Sequence, residues 1–89
     1  PDIEKHEMSL KQFVIDKDSV FLGKSIRESG IRDKYKCLIV GVERANDALK
    51  TPDVNIPFEE GDIIWVVGEN DDVYKLVSEK TDNSPSSDK

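Results

Sequence analysis

Few side chains in this sequence could do chemistry, and each can be weighed separately. Cys37 is the only thiol and His6 the only imidazole. A thiol becomes a nucleophile when a neighbouring base or positive field lowers its pKa. His6 stands in a charged, aperiodic opening stretch and reads as a solvated tail side chain, so Cys37 reads as a small core hydrophobe. With no second His or Cys at ligand spacing, His6 is no metal site either. Gly23-Lys24-Ser25 has the ending of a phosphate-binding loop, but that loop needs a glycine where Asp18 stands. Glu59, Glu60 and Asp62 cluster as hard cations require, yet they lack the spacing of a calcium loop. They read as a solvated turn. No catalytic carboxylate pair and no dinucleotide fingerprint can be nominated, so the chain is expected not to be an enzyme.

The elements that must position these residues are short. Glu60-Gly61-Asp62 is a turn signal, and Ile63 to Val67 is a β-branched and aromatic run of strand length, expected to be central with Trp65 in the core. Gly68 is expected to break it tightly. Asn70 then caps a short helix whose Val73, Leu76 and Val77 share one face. Upstream, Leu10 to Asp16 alternates as a strand with Phe13 and Ile15 inward. Lys24 to Ser29 is a helix of under two turns, with Leu22 and Ile26 on one side and Gly30 as its C-cap. Cys37 to Val42 is apolar on both faces, as in a strand covered on both sides. Ala48 to Thr51 holds a further short strand that Pro52 ends.

Size and charge bound the function. Eighty-nine residues make at most one domain, and a chain this short buries only roughly 60% of its unfolded surface. Association with a second copy would help so marginal a core. A net charge of −6 argues against nucleic acid, whose phosphates demand a basic footprint. One cysteine excludes an internal disulfide. No apolar run approaches the ~20 residues of a membrane span, and the opening residues lack a signal-peptide pattern. The chain starts at Pro1 without a methionine and is expected to be a fragment of something longer. Residues 1–8 read as a linker remnant, 9–79 as the folded domain, and 80–89 as a disordered C-terminal tail without aliphatic residues.

Gly61-Asp62-Ile63-Ile64-Trp65-Val66-Val67-Gly68, between an acidic turn and a short helix, resembles the closing signature of the TrkA C-terminal (RCK-C) domain family. Leu22 to Glu28 resembles that family's first helix, Leu38 to Arg44 its strand closing on an Arg, and Pro52-Asp53 its Pro-x pair. Four motifs in register over Leu10 to Val77 carry the likeness. It implies an α+β fold, a small β-α-β-β-β-α sandwich of a mostly antiparallel sheet with two short helices.

The resemblance also implies a role. Such domains regulate cation channels, potassium-uptake systems and cation/proton antiporters from the cytoplasmic side of the bacterial inner membrane. They pair as homodimers attached to a transmembrane portion. The residue flavour here is most like a Na+ or K+/proton antiporter's C-terminal domain. Some members bind cyclic di-AMP between two lobes, which singles out Arg32, Leu38 and Pro52 as ligand-binding positions. This chain departs from that pattern at Leu38, where the ligand-binding members carry a polar Asn; leucine cannot hydrogen-bond an adenine edge. The alternative is the same lobe fused to a helix-turn-helix transcription regulator, which membrane spans or a basic helical domain upstream would decide.

Overall fold

The computed structural model describes residues 7–45 and 49–78. The expectations for His6, Ala48 and the 80–89 tail therefore lie outside the described residues. Five elements follow in order: β1 (Met8–Val14), α1 (Ile26–Ser29), β2 (Leu38–Glu43), β3 (Ile63–Glu69) and α2 (Asn70–Ser78). The strands form one antiparallel sheet in the order β1-β3-β2, with the expected β3 at its centre. The strand expected at 48–51 is reduced to a single bridge between Val42 and Lys50. The family-like α+β architecture is otherwise present.

One face of the sheet carries the core. Phe13 of β1 and Ile64 and Val66 of β3 point inward, where Val73 and Leu76 of α2 cover them. Ile15 is buried just beyond β1, as its alternation with Phe13 predicts. Phe21 fills the layer between Phe13 and Tyr35, its ring centroid 6.1 Å from each. One tilted and one edge-to-face contact of this kind add stabilisation beyond the area they bury.

Helix α1 exists because both ends are closed by side chain and backbone. Ser25 Oγ accepts from the Glu28 amide at 3.2 Å, and Glu28 Oε1 accepts from the Ser25 amide at 3.0 Å. This capping box satisfies donors that a helix start leaves open. Gly30, at φ +80°, ends the helix in the left-handed conformation glycine adopts without penalty. The helix starts at Ile26, two residues later than the spacing predicts. Leu22 therefore lies in a turn, where helical spacing does not apply, and is exposed while Ile26 is buried. Phe21 takes the inward place instead.

Three further expectations are corrected. β2 is not covered on both sides, for Leu38 and Val40 stand 53% and 49% exposed. Gly68 does not break β3, which continues to Glu69. Glycine suits close packing there: a Cβ would lie 3.2 Å from Cys37 Sγ and 3.3 Å from Val73 Cγ2, so both would have to give way. Asn70 ties α2 to β1, not to its own helix. Its amide donates to Glu7 O at 2.9 Å, and its side chain meets Ser9 Oγ and Glu7 Oε1.

Candidate functional site

The strongest polar constellation joins the end of β2 to the turn before β3. Arg44 donates through Nε to Asp62 Oδ1 at 2.8 Å and through Nη2 to Asp62 Oδ2 at 2.9 Å. The same guanidinium reaches Pro57 O at 3.0 Å and Glu59 Oε2 at 3.2 Å. Asp62 Oδ2 also accepts from the Glu59 amide at 2.8 Å. Glu59 and Glu60 are exposed, as the expected solvated turn requires, but Asp62 is only 1% exposed and its carboxylate carries three bonds. A buried charge must be paired and hydrogen-bonded to persist. The cluster is a structural lock: the Arg44 guanidinium ties Asp62, Glu59 and the Pro57 carbonyl together and neutralises the buried carboxylate.

Gly23-Lys24-Ser25 also resolves into structure. The Gly23 amide donates to Phe58 O and the Lys24 amide to Phe21 O, both at 3.0 Å, while Ser25 caps α1. A phosphate cradle needs free amides pointing at the ligand. These amides are already committed.

Cys37 is 1% exposed and packs under Gly68. Its thiol donates to Tyr35 O at 3.5 Å. Burial first, and the carboxylate of Asp72 second, push its pKa up, which is opposite to what a nucleophile needs. The core reading of Cys37 stands on that geometry.

Two hollows flank α1. One, of about 270 Å³, is lined by Pro52 with Ile26, Val42, Arg44, Ile56 and Phe58 among its walls. The other, of about 150 Å³, is lined by Ile26, Arg27, Arg32, Asp33 and Val54. Arg32 and Pro52 thus line neighbouring hollows that share Ile26, and Arg27 joins Arg32 as a second guanidinium that the sequence reading did not single out. Leu38 lines neither. It lies on the open face of the sheet, opposite Val67 of β3. The positions named from sequence therefore fall on two surfaces, one cationic and one apolar.

That open face was missed by sequence reasoning. Met8, Leu10, Val14, Leu38, Val40 and Leu49 are all exposed. Trp65, expected in the core, is only partly buried and sits mid-face between Gln12 of β1 and Gly41 of β2. Its indole Nε1 is enclosed without a hydrogen-bond partner among the described residues. Leu49 closes over Gly41, where a Cβ would lie 2.6 Å from its Cδ1. The alternating pattern of β1 held the signal: its apolar even positions required a face of their own.

Comparison with known proteins gives these features a family. The chain is 29% identical over 75 residues to probable potassium channel protein 2 of Methanocaldococcus jannaschii, covering 84% of this chain and 22% of that one. It is 36% identical over 62 residues to the uncharacterized transporter YfbS of Escherichia coli, covering 70% and 10%. The chain thus spans less than a quarter of the length of either relative. Among solved structures, the RCK C domain of the potassium transport protein KtrA, in complex with cyclic di-AMP, aligns with a TM-score of 0.71 at 26% identity, covering 81% of this chain and 82% of that one. The RCK_C domain dimer of S. agalactiae BusR, also with cyclic di-AMP, aligns at 0.67 and 27%, covering 78% and 91%. BusR bound to its busAB-promotor DNA gives 0.67 and 27%, covering 79% and 34%. The TrkA-C domain model matches residues 10–80, nearly the whole of the described fold, and the chain belongs to that family.

Proposed function

We propose that this chain is a non-catalytic, regulatory pairing lobe of a cation transport protein, of the potassium or Na+/proton antiporter kind, working on the cytoplasmic side of the membrane. The observation that carries the reading is the sheet's uncovered apolar face. Six exposed large apolar side chains on so small a domain mark a surface of association. The likeness to a potassium channel protein and to KtrA supports the potassium assignment; YfbS supports a transporter parent. A lobe of this kind regulates only if some ligand or partner prefers one arrangement of two lobes over another.

Cyclic di-AMP is the ligand of the KtrA and BusR domains, and Arg27 and Arg32 give a phosphate its guanidinium partners here. Leu38 offers no hydrogen bond to a base. The test is a thermal-shift titration with cyclic di-AMP, alongside AMP and ATP. Ligand at 100 times its dissociation constant stabilises by about 2.7 kcal/mol, and Arg32→Ala should abolish the shift. No shift would leave a pairing lobe without dinucleotide sensing. A monomer by light scattering at high micromolar concentration would remove the pairing reading itself.

The likeness to BusR on promoter DNA favours a second reading, a lobe fused to a DNA-binding regulator. The lobe's own charge of −6 places any DNA contact in another part of such a protein. Membrane spans in the full-length protein would exclude it; a basic helix-turn-helix segment would establish it.

A further inference from the structure

The two edges of the sheet are closed differently. The β2 edge is interrupted at Val40, where the register against β3 shifts, and Val42 exchanges backbone bonds with Lys50 just beyond. The β1 edge has neither device. Its seven residues contain no proline, keep one register against β3 and carry a single charge, Lys11. Natural sheets blunt their free edges, so an edge left whole is suited to taking a further strand. Ile15 donates to Asp62 O at 2.8 Å, and Glu7 O accepts from the Asn70 amide at 2.9 Å, so odd residues bond toward β3. Met8, Leu10, Gln12 and Val14 direct their amides and carbonyls outward as an open ladder.

The side chains alternate across this edge. Ser9 and Lys11 share the inner side with Phe13, while Met8 and Leu10 lie on the open face. On the inner side a hollow of about 510 Å³ runs between β1 and α2, with Ser9, Lys11, Asp71, Val73 and Tyr74 among its walls. Neither Lys11 nor Asp71 has an ion-pair partner among the described residues. The two charges are ordered along the groove. Asp71 begins α2 at the end where Ser9 meets Asn70, and Lys11 stands one pleat further along.

We propose that the β1 edge takes an extended segment of another polypeptide as a fourth, antiparallel strand, and that the groove reads the order of its charges. A residue opposite Lys11 forms a non-hydrogen-bonded pair, the closer kind, with its side chain on the groove side; an acidic one there pairs with Lys11. Two residues later, opposite Ser9, a basic one reaches toward Asp71. The residues opposite Leu10 and Met8 fall on the open face, beside side chains 58% and 61% exposed, and suit apolar types. The occupant therefore reads acidic, apolar, basic, apolar. No acidic residue of these 89 begins that order, so the segment comes from outside them. A second β1 fits poorly: its inner side, with Ser9, Lys11 and Phe13, offers Lys11 no anion. The proposal is independent of the pairing reading, whose Leu38 stands on the opposite edge.

Titration of the chain with two short peptides, followed by amide chemical shifts, tests the proposal. One peptide reads Thr-Glu-Val-Lys-Val-Thr; the other has the same composition with Glu and Lys exchanged. We expect the first to bind and to shift the Leu10 and Gln12 amides. The second should bind about tenfold more weakly, because two attractive cross-strand pairs become two repulsive ones. Methylating the amide of the first valine, which bonds with Leu10, should weaken the first peptide as well. The Lys11→Glu/Asp71→Lys double variant should reverse the preference, and the two-peptide comparison in the wild type stands by itself if that variant misfolds. Equal affinity for the two peptides, shifts confined to β2, or no binding at millimolar peptide overturns the proposal. Exchange protection of Leu10 and Gln12 that grows with chain concentration alone assigns the edge to a second copy and overturns it too.

Discussion

The two faces of the same sheet contrast sharply in what they bury. On the inner face, Ile64 and Val66 have no exposure at all, because α2 and the aromatic layer close over them. On the outer face, Met8, Leu10, Leu38 and Val40 are about half exposed or more, although they are just as apolar. Composition cannot explain the difference; supply of covering elements does. Two helices, one of four residues and one of nine, suffice for one face only. A domain that keeps apolar residues on a face it cannot cover is built for association. The inner face is then about the stability of one copy, and the outer face, on the pairing reading proposed above, about the meeting of two.

Substitutions on the inner face should therefore cost most. Ile64→Ala removes a fully buried branched side chain at the centre of the core and should destabilise by about 3–4 kcal/mol, read by denaturant unfolding. Asp62→Ala comes next. It deletes the acceptor of two Arg44 bonds and of the Glu59 amide, so the loop from Pro57 to Asp62 keeps only the Pro57 carbonyl and Glu59 carboxylate contacts to Arg44. Breaking a fully buried pair costs about 3–5 kcal/mol, but Arg44 is 31% exposed and can recover water, so about 2–3 kcal/mol is expected. An unfolding midpoint unchanged by Asp62→Ala would show that the lock is ornamental.

How much of this was legible follows from which signals are local. Phe13 and Ile15, the β3 run and the Gly30 cap were readable because alternation, β-branching and a left-handed C-cap act within a few residues. The sequence also pointed to the family through four spaced motifs. What escaped it was non-local. Nothing near Asp62 announces that Arg44, eighteen residues earlier, will bury its carboxylate. Nothing in Cys37 to Val42 says that one side of the strand will lack a cover. Gly68 looked like a break because glycine usually punctuates; its true reason, Cys37 and Val73 closing from two sides, exists only in three dimensions. At the candidate site, Arg32 and Pro52, named as ligand-binding positions through the resemblance, line two neighbouring hollows, whereas Arg27 carried no motif to distinguish it.

Cys37 gives the comparison a pH coordinate. Its folded pKa is raised above the ordinary value of 9.0, so the folded state holds the proton more tightly than the unfolded chain. Between the two pKa values the folded state binds more protons, and stability must fall as pH rises. The contribution is full below about pH 9 and is lost progressively above it. Urea titrations between pH 8 and 10.5 should show this decline, and Cys37→Ala should flatten it after a small constant loss. A wild-type slope equal to that of Cys37→Ala would place the titrating group elsewhere.

The smallest effect should come from the outer face, and its smallness is what makes it informative. Leu38 is 53% exposed and meets Val67 only across the strand pair, so Leu38→Ser removes little buried area within one copy. Exposed substitutions of this kind stay within about 0.5 kcal/mol. Measured at low micromolar concentration, where one copy unfolds by itself, the variant should match wild type. Measured again at high concentration, any new difference belongs to contact between copies, since the single-copy term has already been fixed. A large loss in the dilute sample would instead mean that Leu38 is covered within its own chain, and the distinction between the two faces would fail at β2.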